Sequence, residues 1–175
     1  ILSRCRMISF QPLGEGHVKA LLMREKGMPE AAAGLVARMT GGRVGQALDA
    51  DPEDISAKRN DFLRILEAIT GKGASAVLGE AEKAAKDESR LEDFIFFGTM
   101  WFRDILILSV GGDPGLAYNE DIVGLLWEWA GRLSPYRCEE ALMLLRQAGQ
   151  SLDRTFNRRF LAEELFFRFK EEVLA

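Results

Sequence analysis

The chain has 175 residues, 47% of them apolar and 29% charged, with a formal net charge of -4. That balance excludes an intrinsically disordered chain, and the acidic excess argues against a dedicated nucleic-acid-binding domain, which carries a basic surplus. Two Cys, one His and no CxxC pair cannot supply a four-ligand Cys/His zinc site, and they fit a reducing compartment without a disulfide framework.

The first ten residues, ILSRCRMISF, carry strand character in Met7–Phe10, and Pro12 stops any ladder. They show none of the basic, apolar and small-residue zones of a signal peptide. With no initiating Met, the expectation is a segment of a longer chain. From there the periodicity is helical. His17 to Lys26 places Val18, Leu21 and Leu22 on one stripe, and Gly27 closes it. Pro29 suits the first turn of a helix reaching about Thr40, with Leu35, Val36 and Met39 inward. Gly41 and Gly42 break it, and a short helix covers roughly Val44 to Asp49.

Asp51, an N-cap before Pro52, marks the expected domain boundary. A long amphipathic helix follows from Ile55 to Ile69, with Phe62, Leu63, Leu66 and Ile69 on its apolar face, then a TGKGAS turn and an Ala-rich helix from Ala74 to Lys86. The next helix, Ser89 to Ser109, contains FIFFGTMWFRDILILSV. That run is at the lower edge of a membrane span, but Arg103 and Asp104 inside it are costly in hydrocarbon. It reads instead as a helix buried on most sides of a soluble bundle. Phe94, Phe96, Phe97, Trp101 and Phe102 span more than one helical face, which predicts apolar surface left over for another helix layer or a partner. Arg103 and Asp104 point about 100° apart, so they are not expected to pair simply with each other. Arg103 is expected to be the more structural of the two, its stem packed and its head on a carboxylate or on carbonyls.

A GGDPG loop leads to a helix capped by Asn119 or Asp121, carrying Ile122, Leu125, Leu126 and Trp129. Ser134 and Pro135 start another, which is expected to reach about Phe156 with Leu142, Leu145 and Leu152. Asn157 caps the last, with Phe160, Leu161, Leu165, Phe166 and Phe169 inward. The predicted fold is all-α: a small three-helix module, then a helical bundle of about five to six helices.

Little in the chain suggests catalysis. His17 has Glu15 nearby but no nucleophile pattern. GGRVG matches neither a P-loop nor GxGxxG, since Thr40 stands where the first Gly is needed, and it reads as a turn. The acidic stretches DADPED and KDESRLED read as solvated helix caps, and Cys138 as a packed thiol. Arg4 differs. It sits between Ser3 and Cys5 at the end of a strand-like segment, where an Arg can present its planar fork to a phosphate on another molecule. An Arg supplied in trans to a γ-phosphate contributes several orders of magnitude in rate.

ILSRCRMISFQPL resembles the Ser-Arg-Cys motif of clamp-loader subunits of the extended AAA+ ATPase class. ARMTGGRVGQAL is similar to the end of that family's lid, a helix, a Gly turn and an Ala-Leu helix. WFRDILIL and NRRFLAEELFFRF look like the collar of bacterial DNA polymerase III subunits. The resemblance implies that residues 1–10 are a remnant of the AAA+ core, 11–50 a three-helix lid and 51–175 a helical collar for oligomerisation. ATP-binding subunits of this family carry an Arg in a lid pattern of roughly GSxRDAL. Aligning its Ala-Leu with Ala47-Leu48 puts Gly45 at that Arg, with Arg43 two residues earlier. A Gly there is similar to the delta-prime subunit, which does not hydrolyse ATP. The resemblance then implies a chain that holds no cofactor and no metal and is not itself catalytic. Arg4, with Ser3 and Cys5, becomes a finger for the neighbouring subunit's nucleotide. The implied partners are gamma/tau-like and delta-like subunits through the collar, with the sliding clamp and primer-template DNA met through the whole complex, in the cytoplasm and away from membranes. Two alternatives stay open: a gamma/tau-type ATPase subunit, with Arg43 shifted into the place of Gly45, and a helical interaction module unrelated to replication.

Overall fold

The computed structural model describes residues 11–71, 73–152 and 157–174. These residues are all-helical and contain no strand. The strand character expected at Met7–Phe10 lies outside them. The chain divides into two compact units between Ile55 and Ser56.

The first unit holds α1 (Glu15–Lys26), α2 (Glu30–Met39) and α3 (Val44–Asp49). Val18 and Leu22 of α1 meet Ala33, Val36 and Ala37 of α2 and Ala47 of α3, a core built from the spacings of three and four that the sequence shows. Leu21, expected inward, is only half-buried. Gly27 ends α1 in the left-handed conformation, at φ 64°, and its N–H donates to the Leu22 carbonyl. The α2–α3 turn needs glycine twice, at Gly41 and Gly42, with φ of 56° and 81°. At Gly42 a side chain would also overlap the Leu13 carbonyl, because Leu13 lies alongside and donates its N–H to the Gly42 carbonyl at 3.0 Å.

The second unit is a bundle. α4 (Pro52–Gly71) crosses the division, and α5 (Ala74–Lys86), α6 (Glu88–Ser109), α7 (Val123–Ala130), α8 (Pro135–Leu152) and α9 (Arg158–Arg168) follow. Two 3-10 turns, Pro114–Leu116 and Glu120–Ile122, shape the α6–α7 loop, and α9 runs on into a wide π-type turn, Phe169–Val173. α6 is the central element and packs on α5, α7 and α8. Its rings organise the core. Phe94 lies 5.2 Å from Phe62 of α4, 4.8 Å from Phe166 and 5.8 Å from Phe169, and Phe102 lies 5.4 Å from Phe169, between ring centroids. Trp101 stands edge-on to Trp129 of α7 at 6.1 Å. Such tilted pairs each contribute about 0.5–1.5 kcal/mol beyond their area burial. Gly98 lets the helices approach: a Cβ there would stand 3.2 Å from both Leu145 Cδ atoms and from Phe62 Cε2.

The start signals hold at three helices. Asp51 Oδ1 accepts from Glu53 N–H at 2.9 Å, Ser134 Oγ from Arg137 N–H at 3.3 Å, and Asn157 Oδ1 from Phe160 N–H at 3.0 Å. They fail at α7. Neither Asn119 nor Asp121 caps it, because both side chains are engaged by residues of other helices, as described below. Phe160, expected inward, is 61% exposed on the first turn of α9. α8 is described as far as Leu152, and the stretch up to Phe156 lies outside the described residues. Among the described residues, no helix is long and apolar enough to cross a membrane.

Candidate functional site

The outer side of α6 forms a largely apolar groove, about 640 Å³ in volume. α6 contributes Glu92, Ile95, Phe96, Thr99, Met100 and Arg103, a stripe recurring every three or four residues that the α-helical period gathers on one face. α8 contributes Gly149 and Leu152, and the α6–α7 loop contributes Tyr118. Of the aromatic residues expected to span several faces, Phe94, Phe97, Trp101 and Phe102 are buried and Phe96 is 43% exposed in the groove. Phe96 is held on its inner side by Phe97, whose ring is perpendicular to it at 5.1 Å. Gly149 lines the floor with no side chain of its own, and a Cβ there would rest in ordinary contact with Ile95 Cγ2 at 3.7 Å. The Thr99 hydroxyl donates to the Ile95 carbonyl at 2.7 Å, so its hydrogen is spent within its own helix.

One end of the groove is fixed by a buried polar cluster. Asp104 is fully buried. Its Oδ1 accepts from Tyr118 N–H at 3.0 Å and from Arg103 Nη1 at 3.1 Å, and its Oδ2 accepts from Asn119 N–H at 2.9 Å and Asn119 Nδ2 at 2.8 Å. Four donors, one of them cationic, offset the cost of taking a carboxylate out of water. Arg103 also donates to the Leu116 carbonyl at 3.0 Å and lies over the Tyr118 ring at 4.5 Å. These contacts correct two expectations. Arg103 and Asp104 do pair, because the flexible Arg stem folds back over the 100° that separates their Cα–Cβ directions. And Asp104 is the structural member: the Arg103 side chain is 39% exposed, although its head does rest on a carboxylate and a carbonyl as expected. On the far side of the loop, buried Arg59 grips Asp121 with both terminal nitrogens, at 2.8 and 2.6 Å, and reaches Asn119 Oδ1 at 3.5 Å. The α6–α7 loop is thus clamped between α4 and α6.

A second charged cluster joins α4, α5 and α6. Arg64 bridges Asp61 and Glu80, Lys83 donates to Glu80 at 2.8 Å, and Arg90 donates to Asp61 at 2.9 and 3.0 Å. Burial pushes the Glu80 carboxyl up, but the hydrogen bonds from Arg64 and Lys83 outweigh it and hold Glu80 below its ordinary range. Cys138 is fully buried, and burial pushes its thiol up to about 11, the state of a packed rather than a reactive sulfur.

Ser3, Arg4 and Cys5 lie outside the described residues. Gly45 is exposed in α3, with open space where a side chain would stand, and Arg43 is exposed at the residue preceding that helix. Among the described residues, no group of three His, Cys, Asp or Glu is placed to hold a metal ion. The groove's stripe was legible in the aromatic run of α6, but Tyr118 and Gly149 were not, since each comes from a different element. A scan against protein-family models gives no match to this chain, and a search of the curated proteins gives none either.

Proposed function

We propose that this chain is the lid and collar part of a bacterial clamp-loader subunit of the delta-prime type, working in subunit assembly and in sliding-clamp loading in the cytoplasm. The observation that carries the reading is the apolar groove on the bundle, with Phe96 held out to solvent beside a clamped loop. A helix face of this kind is suited to a partner rather than to chemistry. The Ser3-Arg4-Cys5 motif and the chain order of a three-helix unit followed by a bundle also support it. In this reading Arg4 sets its fork against charge developing on a γ-phosphate held by the neighbouring subunit. The gamma/tau-like and delta-like subunits meet the bundle, and clamp and primer-template DNA are engaged by the complex as a whole. Exposed Arg43, just before α3, is what favours the second reading, a gamma/tau-type subunit that touches nucleotide within its own chain.

The test is steady-state ATP turnover by a reconstituted loader carrying the full-length subunit. Arg4→Ala is expected to leave assembly intact and to lower DNA- and clamp-stimulated turnover at one site, with poor rescue by Arg4→Lys. Full turnover with Arg4→Ala removes the finger. Failure of the full-length chain to join any loader removes the whole reading.

A further inference from the structure

We propose that the α6–α8 groove seats a second copy of this chain, the two α6 helices lying antiparallel across a two-fold axis. The stripe itself is self-complementary. Glu92 and Arg103, Ile95 and Met100, and Phe96 and Thr99 are three pairs, each symmetric about the same midpoint of α6. Turning one helix end for end over another sets Glu92 of one copy against Arg103 of the other, Ile95 against Met100, and the Phe96 ring against Thr99. A two-fold interface requires this kind of match, in which one patch complements itself. Each acid meets a base and each apolar side chain meets an apolar surface, whereas parallel pairing would set Glu92 on Glu92 and Arg103 on Arg103.

The side chains are available for it. Glu92 and Arg103 keep 57% and 39% of their side-chain surface exposed despite their contacts to Arg158 and Asp104. Phe96 stands 43% exposed, and Gly149, with no side chain, lines the groove beside it. The Thr99 hydroxyl, already bonded within its helix, brings no unpaired donor into the contact. The stripe from residue 92 to residue 103 is about 16 Å long, roughly three helical turns, and so small a contact makes a weak, concentration-dependent dimer. The dimer uses the same groove that carries the clamp-loader reading and competes with a loader subunit for it; sedimentation of the chain alone tests the dimer, whereas the Arg4 turnover assay tests that reading.

Sedimentation equilibrium of the full chain over a range up to about 200 µM, chosen for a weak complex, tests it. The wild type is expected to dimerise. Phe96→Glu is expected to weaken the dimer about ten- to a hundredfold, since two rings are lost per dimer, each with under half its surface left to bury, together on the scale of one large apolar side chain. Glu92→Arg and Arg103→Glu each put like charges together twice and are expected to be monomers, whereas an equal mixture of the two restores both opposite-charge contacts and returns the dimer mass. Arg103→Glu also loses its bonds to Asp104 and Leu116. If its helical circular dichroism is lost, Phe96→Glu and Glu92→Arg decide. A wild type that stays monomeric throughout, or a dimer untouched by Phe96→Glu, overturns the proposal.

Discussion

Asp104 and Asn119 stand fifteen residues apart and are joined twice, the buried carboxylate accepting the Asn119 backbone N–H at 2.9 Å and its side-chain amide at 2.8 Å. Asp104→Asn keeps the shape but replaces one acceptor oxygen with a donor, leaving buried N–H groups facing N–H. The expected loss is about 3 kcal/mol or more, the scale for breaking a buried charged network. Arg103→Ala leaves the buried Asp104 carboxylate its three neutral donors but not its cation, and is expected to cost less, about 1.5–3 kcal/mol. Urea unfolding of both variants checks the order. If Arg103→Ala proves the more damaging, the Arg and not the Asp holds the loop.

Gly98 and Gly45 make opposite predictions for the same substitution. At Gly98 a methyl meets Leu145 and Phe62 at 3.2 Å, and forcing it in is expected to cost about 1–3 kcal/mol. That exceeds the roughly 1 kcal/mol that Ala gains over Gly in a helix. At Gly45 the methyl enters open space, so Gly45→Ala is expected to raise stability by about 0.5 kcal/mol. A denaturation midpoint raised by Gly98→Ala would show that α6 is not crowded there, and one lowered by Gly45→Ala that α3 has no open space at Gly45.

Acid should weaken the α4–α5–α6 charge cluster. Glu80 is held below its ordinary range in the folded chain, so its contribution is complete above the unfolded carboxyl value, about 4.3 for Glu. It is lost as pH falls through the lower folded value. Glu80→Gln removes this contribution. The wild type is therefore expected to be the more stable at pH 7, with the gap closing as pH drops below about 4. A gap that stays constant from pH 7 to pH 3 would mean that Glu80 is not bonded as a carboxylate.

Cys138 is expected to resist thiol reagents. In a Cys5→Ser background at pH 8, a soluble aromatic disulfide should leave native protein unlabelled and label it fully in denaturant. The thiol is fully buried and its pKa is near 11. Rapid labelling of the native protein would show that α8 opens.

The helices were legible because their apolar residues recur locally. Phe62, Leu66 and Ile69 on α4, and Leu161, Leu165 and Phe166 on α9, are buried as their spacing foretold. Asn157 and Ser134 were legible as caps for the same reason: their partners lie three residues away. Asn119 and Asp121 carry the same local signal but bond to Asp104 and Arg59, fifteen and sixty-two residues off, and no short-range pattern records that choice. Arg103 was misjudged because sequence counts both neighbours as charges and cannot tell which one the bundle closes over. Phe160 was misjudged because it fits the α9 period near the helix start, where the adjoining layer does not reach it.

The wide turn at Phe169–Val173 has a consequence for the order in which the protein is made. Lys170 reaches back 101 positions to donate to the Ile69 carbonyl at 3.0 Å, and Phe169 completes the ring cluster around Phe94 and Phe102. On a ribosome, α4 and α6 leave the exit channel with that cluster still open. At about 5–20 residues per second, the missing rings follow several seconds later. The first unit, whose core closes within its own short stretch of chain, has no such wait. Through that interval Phe94 and Phe102 lack the Phe166 and Phe169 rings that pack on them in the folded chain, so the pace of translation through α7 to α9 bears on how much of the second unit reaches its native form.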